Sequence, residues 1–219
     1  IPDGMEEELR GYLESFSHLS VRERQGQAIV RDITGQDVPV VLDPTLLLTR
    51  EDWASVARDG GAGQGYILCY CISRPGALAP YIRRLAEETG LPVVQLCGVR
   101  QKVHPKARCI LSAGPAEFLG LFRDAAYVCT NSFHGTVFSV QFQKPFFTAV
   151  APAEMAAPES SLTFSLLSRL GLGERIIGKG DTADLTAPID WAAVGERLGR
   201  ERKLSLDYLR CALEDRPHT

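Results

Sequence analysis

The sequence predicts an α/β fold: a parallel sheet with helices on both faces. Three observations carry that expectation. Short apolar runs, four to seven residues long, recur along the chain and alternate with stretches of helical period. The runs are almost continuously Val, Ile, Leu, Cys and Phe, as in strands buried on both sides, instead of alternating apolar with polar. Glycine or a polar cluster closes most helical stretches, so each is punctuated before the next strand begins.

The elements follow in order. Residues 5–17 carry Met5, Leu9, Tyr12, Leu13 and Phe16 at helical spacing. Residues 19–21 read as a short strand, 23–34 as a helix ended by Gly35, and 38–42 as a strand. Thr49 with Asp52 three residues later has the form of a capping box, with Asp in place of Glu or Gln, and opens a helix to about Arg58. A glycine-rich loop spans 59–65. A strand follows at 66–72, a helix at 77–88 stopped by Gly90, and a strand at 93–96. Residues 98–108 form a basic connector, with Arg100, Lys102, His104, Lys106 and Arg108 spaced by small or apolar residues. Residues 116–123 read as a helix, 125–129 as a buried strand, 136–143 as a helix and 145–150 as a strand. An Ala- and Pro-rich loop over 151–160 precedes a short helix at 162–170, capped by Gly171. After a loop, residues 191–213 make a long closing helix with a charged face.

Bulk properties exclude several functions. A formal net charge of −3 with both signs interspersed gives no basic platform, so no nucleic-acid partner is expected. No apolar run approaches the roughly 20 residues that cross a bilayer. The acidic opening is unlike a secretory signal. The six cysteines contain no Cys-x-x-Cys pair and sit mostly in strand-like runs, as buried free thiols of a reducing cytoplasm. No Cys and His cluster has metal-ligand spacing, so neither a metal nor another cofactor is expected.

The chemistry concentrates between residues 127 and 147. A strand stops at Thr130, Asn131, Ser132, Phe133, His134 and Gly135, and a helix follows. Ligands of α/β proteins bind at such a place, where a helix start presents free N–H groups and a partial positive charge. Asn131, Ser132 and Thr136 offer hydrogen bonds, His134 a titratable group, and Gly135 room for close approach. Arg22 lies at a second strand-to-helix turn, where a guanidinium grips a carboxylate or phosphate through two parallel bonds. Glu23 beside it either orients Arg22 or serves as a helix-start charge. Glu117 follows Pro115 in another first helical turn. Asp43, before Pro44, reads mainly as a turn-former, and Arg24 as a solvated residue.

These residues sit in four motifs: Ser20-Val21-Arg22-Glu23, Asp43-Pro44-Thr45-Leu46-Leu47, Gly114-Pro115-Ala116-Glu117-Phe118, and Thr130-Asn131-Ser132-Phe133-His134-Gly135 with Lys144-Pro145-Phe146 beyond it. In this order they resemble the polysaccharide pyruvyl transferase family. One departure stands out: many members carry an Arg just before the Leu-Leu of the next helix, where this chain has Phe164-Ser165-Leu166-Leu167.

The resemblance implies transfer of a pyruvyl group from phosphoenolpyruvate to hydroxyls of a hexose in a cell-surface polysaccharide or its lipid-linked precursor, giving a pyruvate ketal. It implies His134 and Arg22 as catalytic residues, and Asn131, Ser132, Gly135, Thr136, Glu117 and Glu23 as substrate-binding ones. It also implies a Rossmann-like domain like the carboxyl-terminal half of a GT-B-like fold. Residues 1–18 would then be a crossover helix from a missing amino-terminal domain, 19–190 the donor-binding domain, and 191–219 the closing helix. The setting would be the cytoplasm, at the inner membrane face where a lipid-linked saccharide acceptor is met. Two other readings share the pattern: a nucleotide-sugar-dependent glycosyltransferase of the same architecture, and a non-catalytic binding domain in a polysaccharide pathway.

Overall fold

The computed structural model describes residues 4–97, 102–178 and 184–214. Six strands form one sheet: β1 (Ile67–Cys71), β2 (Val93–Cys97), β3 (Arg108–Ile110), β4 (Tyr127–Thr130), β5 (Phe146–Ala149) and β6 (Ile176–Ile177). Their spatial order is β3-β2-β1-β4-β5-β6, and every pairing is parallel. This is a Rossmann-like α/β sheet whose winding reverses between β1 and β4, where such sheets leave a crevice.

Both faces of the sheet are buried, which explains the unbroken apolar runs. Leu68, Val128 and Phe146 face one core with Phe122 and Phe138. Ile67, Cys69, Cys129 and Phe147 face the other with Ile82. The second face is covered chiefly by α4 (Leu78–Thr89), which ends at Gly90 in a left-handed conformation, φ 68°. The first face carries α5 (Pro115–Asp124), α6 (Phe133–Gln141), α8 (Leu162–Leu170) and α9 (Trp191–Glu214). Between β5 and α8 a short helix, α7 (Pro152–Ala156), and a 3-10 turn (Pro158–Ser160) replace the expected loop.

The amino-terminal part differs from the sequence expectation. Residues 19–21 and 38–42 are not strands of the sheet. They meet in a single parallel bridge, Val21 to Val40, around helix α2 (Arg24–Thr34). Helix α1 (Glu6–Glu14) buries no residue and packs on α2. Helix α3 (Arg50–Val56) opens with the Thr49 and Asp52 capping box read from the sequence. Helix α9 gives Val194 and Leu198 to the main core and holds the 42–48 segment. Ser205 accepts a hydrogen bond from the Leu42 N–H (2.9 Å), and Arg202 donates to the carbonyls of Leu46 (2.8 Å) and Leu48 (3.0 Å). The basic connector ends at Arg108, the first residue of β3, which donates to the Gly61 carbonyl (2.6 Å); Arg100 lies outside the described residues. No helix among the described residues is long and apolar enough to cross a membrane.

Candidate functional site

Helix α6 begins earlier than its hydrophobic pattern suggests. Ser132 is the N-cap, its hydroxyl accepting from the Gly135 N–H (3.3 Å), so Phe133 and His134 are the first two helical residues. Their N–H groups have no protein partner among the described residues. They point from a helix start at the carboxyl end of β4, a geometry that favours anions.

The residues around His134 build the turn. Thr130 donates to the Tyr70 carbonyl (2.6 Å) and accepts from the Ser132 N–H (3.1 Å). The Asn131 amide reaches across the crevice to the end of β1. It accepts from the Ile72 N–H (2.9 Å) and donates to the Ser73 hydroxyl (2.9 Å). Asn131 therefore clamps the two loops that diverge at the β1–β4 reversal. Thr136 is fully buried, and its hydroxyl bonds the Ser132 carbonyl (3.2 Å) and Thr148 (3.0 Å). Its expected contact with substrate is corrected: no surface of Thr136 is left for a ligand. Gly135 is corrected likewise. A Cβ there would stand 2.2 Å from Thr130 Oγ1 and 3.1 Å from Tyr70, so the missing side chain admits β1 and β4, not a ligand. Ser132 is 5% exposed and acts as a cap.

The outward-facing groups meet at Asp43. This carboxylate is buried, its side chain 3% exposed. Oδ1 accepts from the Thr45 N–H (3.0 Å) and hydroxyl (2.6 Å), the Asx turn expected of Asp-Pro-Thr. Oδ2 accepts from Arg22, and His134 Nε2 stands 4.0 Å from Oδ1. Burial raises the Asp43 carboxyl, but the Thr45 hydroxyl and N–H and the Arg22 guanidinium together outweigh it and hold the pKa below the usual carboxylate value. Arg22 and His134 come from separate turns and keep about half their side-chain surface exposed, 48% and 50%. Each thus shows one side to Asp43 and one to solvent.

Glu23 is the N-cap of α2 without a side-chain capping bond and lies next to Arg22 in the chain. Glu117 lies in the first turn of α5 with its carboxylate folded back over Gly114, where an added Cβ would meet Oε2 at 2.7 Å. No contact joins it to Arg22, Asp43 or His134.

A shallow hollow of about 10 Å³, room for one water, is lined by Arg22, Asp43, Phe133, Leu162, Leu166 and Arg169. Sequence reasoning missed Asp43 and Arg169 as site residues. Leu162, Leu166 and Arg169 fall at i, i+4 and i+7, one face of α8, and that spacing was the available signal for Arg169. A roomier hollow of about 230 Å³ at the far end of α6, beside Gln143 and Trp191, contains none of the expected site residues. Among the described residues no group of three His, Cys, Asp or Glu is arranged to hold a metal ion.

None of the curated proteins matches the chain closely enough to count as a relative. Among solved structures, a UDP-GlcNAc 2-epimerase from Methanocaldococcus jannaschii, in complex with UDP-GlcNAc and UDP, aligns with a TM-score of 0.47 at 13% identity. The alignment covers 86% of this chain and 61% of that one, so the chain spans under two thirds of that protein's length. The family model of polysaccharide pyruvyl transferases matches residues 1–152, a span containing Arg22, Asp43 and His134. With well over half its length matched, the chain belongs to the polysaccharide pyruvyl transferase family.

Proposed function

We propose that this chain binds phosphoenolpyruvate and transfers its pyruvyl group to two hydroxyls of a saccharide, forming a cyclic ketal and inorganic phosphate. The observation that carries the reading is the meeting of Arg22 and His134 on one buried carboxylate beside a helix start with two free N–H groups. The donor has a carboxylate and a phosphate, and its methylene carbon must gain a proton. A guanidinium, N–H donors and an imidazole supply those needs.

In this scheme the free edge of Arg22 grips the donor carboxylate, while the Phe133 and His134 N–H groups face the phosphate. Protonated His134 gives its proton to the methylene carbon, which becomes a methyl group. The first sugar hydroxyl bonds to the neighbouring carbon and returns its proton to the imidazole. The phosphate leaves with its bridging oxygen and the bonding electron pair. The second hydroxyl then bonds to the same carbon, and its proton departs on the phosphate. Asp43 touches neither reactant; it orients the two cations. The saccharide enters over the crevice between β1 and β4. The same reading sets the reaction in the cytoplasm, with a free or lipid-linked saccharide as acceptor.

Calorimetric titration with phosphoenolpyruvate, paired with a phosphate-release assay on a saccharide acceptor, tests the scheme. His134→Ala should lower turnover by roughly 10²–10⁴-fold, the usual contribution of a proton-transfer group. Arg22→Ala should weaken donor binding about tenfold or more, the loss of a charge-assisted contact. Undiminished turnover in the first variant, or binding of nucleoside diphosphates but not of phosphoenolpyruvate, refutes it.

A further inference from the structure

Helix α6 ends on a residue that its backbone does not favour. The Lys144 N–H bonds the Ser139 carbonyl (2.9 Å) and the Gln143 N–H the Val140 carbonyl (3.1 Å), the paired bonds of a Schellman motif. The left-handed position of that motif is Gln143, φ 53°, the one non-glycine residue with a positive φ among the described residues. Glycine takes this conformation without strain, and Gly35, Gly90 and Gly171 do so after α2, α4 and α8. A side chain is thus kept at 143 against the backbone's preference, and it lines the hollow of about 230 Å³ at the far end of α6.

Three elements wall this hollow. Arg50 and Glu51 come from the start of α3, Gln143 from the end of α6, and Trp191 with Gly195 from the first turns of α9. Buried Val140, Val194 and Leu198 give it an apolar lining. Its polar backing is fixed: Gln141 donates to the carbonyls of Thr45 (2.8 Å) and Leu48 (2.9 Å), beside the Arg202 bonds to the same segment. Other groups keep capacity to spare. Arg50 donates to Gln143 Oε1 (3.1 Å), which leaves the Gln143 amide hydrogens unpaired. Neither the Glu51 carboxylate nor the Trp191 indole N–H has a hydrogen-bond partner among the described residues.

A cavity of about 150 Å³ holds benzene, so this larger space takes a six-membered ring with its substituents. Its charges are of both signs, which suits a neutral ligand rich in hydroxyls better than an anion. Each hydroxyl can donate to Glu51 and accept from Arg50 or Gln143. The indole adds an apolar face with a polar edge. We infer that the hollow binds a hexose unit of a saccharide, at a place separate from the turns that carry Arg22 and His134. Helix α6 has nine residues, so the hollow and His134 lie at ends about 12 Å apart. The inference does not rest on the donor assignment, because the two places share no residue.

Saturation-transfer NMR and tryptophan fluorescence test it on the whole chain, with the methyl glycosides of glucose, galactose, mannose and N-acetylglucosamine as probes. At least one should bind at millimolar concentration and change the indole emission. Gly195→Leu should abolish that binding by filling the hollow. An added Cβ there meets nothing within 4 Å, and leucine favours the helix, so its Tm should hold or rise. Gln143→Gly should weaken binding about threefold to tenfold, the loss of one hydrogen bond, while its Tm holds or rises as the left-handed strain is relieved. A merely structural Gln143 would leave binding untouched. His134→Ala should bind the glycoside as the parent does. Binding of none of the four probes overturns the inference. So does binding that is indifferent to both Gly195→Leu and Gln143→Gly, or that is lost in His134→Ala, which would put the sugar at the crevice. Arg50-dependent binding of inorganic phosphate without any glycoside overturns it in favour of an anion site.

Discussion

Replacing Asp43 with Asn isolates the charge at the centre of the site, because the side chain keeps its shape. The Asn carbonyl still serves the Thr45 N–H and hydroxyl, which lie 3.0 and 2.6 Å from Oδ1. Its amide then faces the Arg22 guanidinium, donor against donor. A hydrogen bond to a charged group contributes about 1.5–3 kcal/mol, and the lower part of that range applies because half of Arg22 is in water, which re-solvates it. A loss of about 2 kcal/mol corresponds to a fall of roughly 4–8 °C in Tm for a domain of this size. Thermal unfolding at pH 7 measures it. The pH dependence is the sharper part. The native Asp43 pKa lies below its ordinary value of 3.8. Its contribution is therefore fully present above that value and lost as pH falls through the lower native pKa. The gap between parent and Asp43→Asn should be constant from neutral pH down to about 5 and narrow below about 4. Equal melting at pH 7, or a gap as wide at pH 3 as at pH 7, refutes the reasoning.

Two further outcomes follow from the packing. Gly135→Ala sets a methyl 2.2 Å from Thr130 Oγ1 and should destabilise the fold by about 1–3 kcal/mol, read as a lowered urea midpoint; an unchanged midpoint would mean that Gly135 is there for a ligand after all. Burial pushes the thiols of Cys69 and Cys129 well up and that of Cys71 to about 11, so iodoacetamide at pH 8 should label exposed Cys211 in native protein and spare those three; equal labelling of all four refutes their burial in solution.

The central strands were legible in the sequence because β1, β4 and β5 are covered on both faces and so read as unbroken apolar runs. The edges were not. Strand β3 has only three residues, partly exposed, at the end of a basic stretch, and β6 has two. Neither is long enough to show a period. The opposite error arose at 19–21 and 38–42. Both are apolar enough for strands, yet they pair through one bridge with each other and not with the sheet, and nothing local says which partner an extended segment will find. The start of α6 was placed three residues late, since the apolar stripe begins at Val137 while the helix begins at its cap, Ser132. Asp43 was legible as a turn-former and illegible as a meeting point, because its neighbours Arg22 and His134 lie 21 and 91 residues away in the chain.

The signature turn therefore separates into scaffold and chemistry. Asn131 ties β4 to the end of β1, Ser132 caps α6, Gly135 lets the helix lie against Thr130 and Tyr70, and Thr136 anchors it to β5 through Thr148. Of the polar or small positions that draw the eye in the sequence, Ser132, Gly135 and Thr136 are buried, and Asn131 is spent on the loop after β1. The side chain they leave in the open is His134, the second residue of a helix held by the Ser132 cap, the Gly135 contact with Thr130 and Tyr70, and the Thr136 bond to Thr148. A catalytic imidazole needs to be held to a fraction of an ångström, and a half-exposed side chain cannot do that through its own packing. The turn supplies the rigidity from below and Asp43 the electrostatic restraint from the side. Substitutions at these scaffold positions should for that reason lower turnover only in proportion to how far they loosen the turn, whereas in the proposed scheme His134 and Arg22 act on the donor itself.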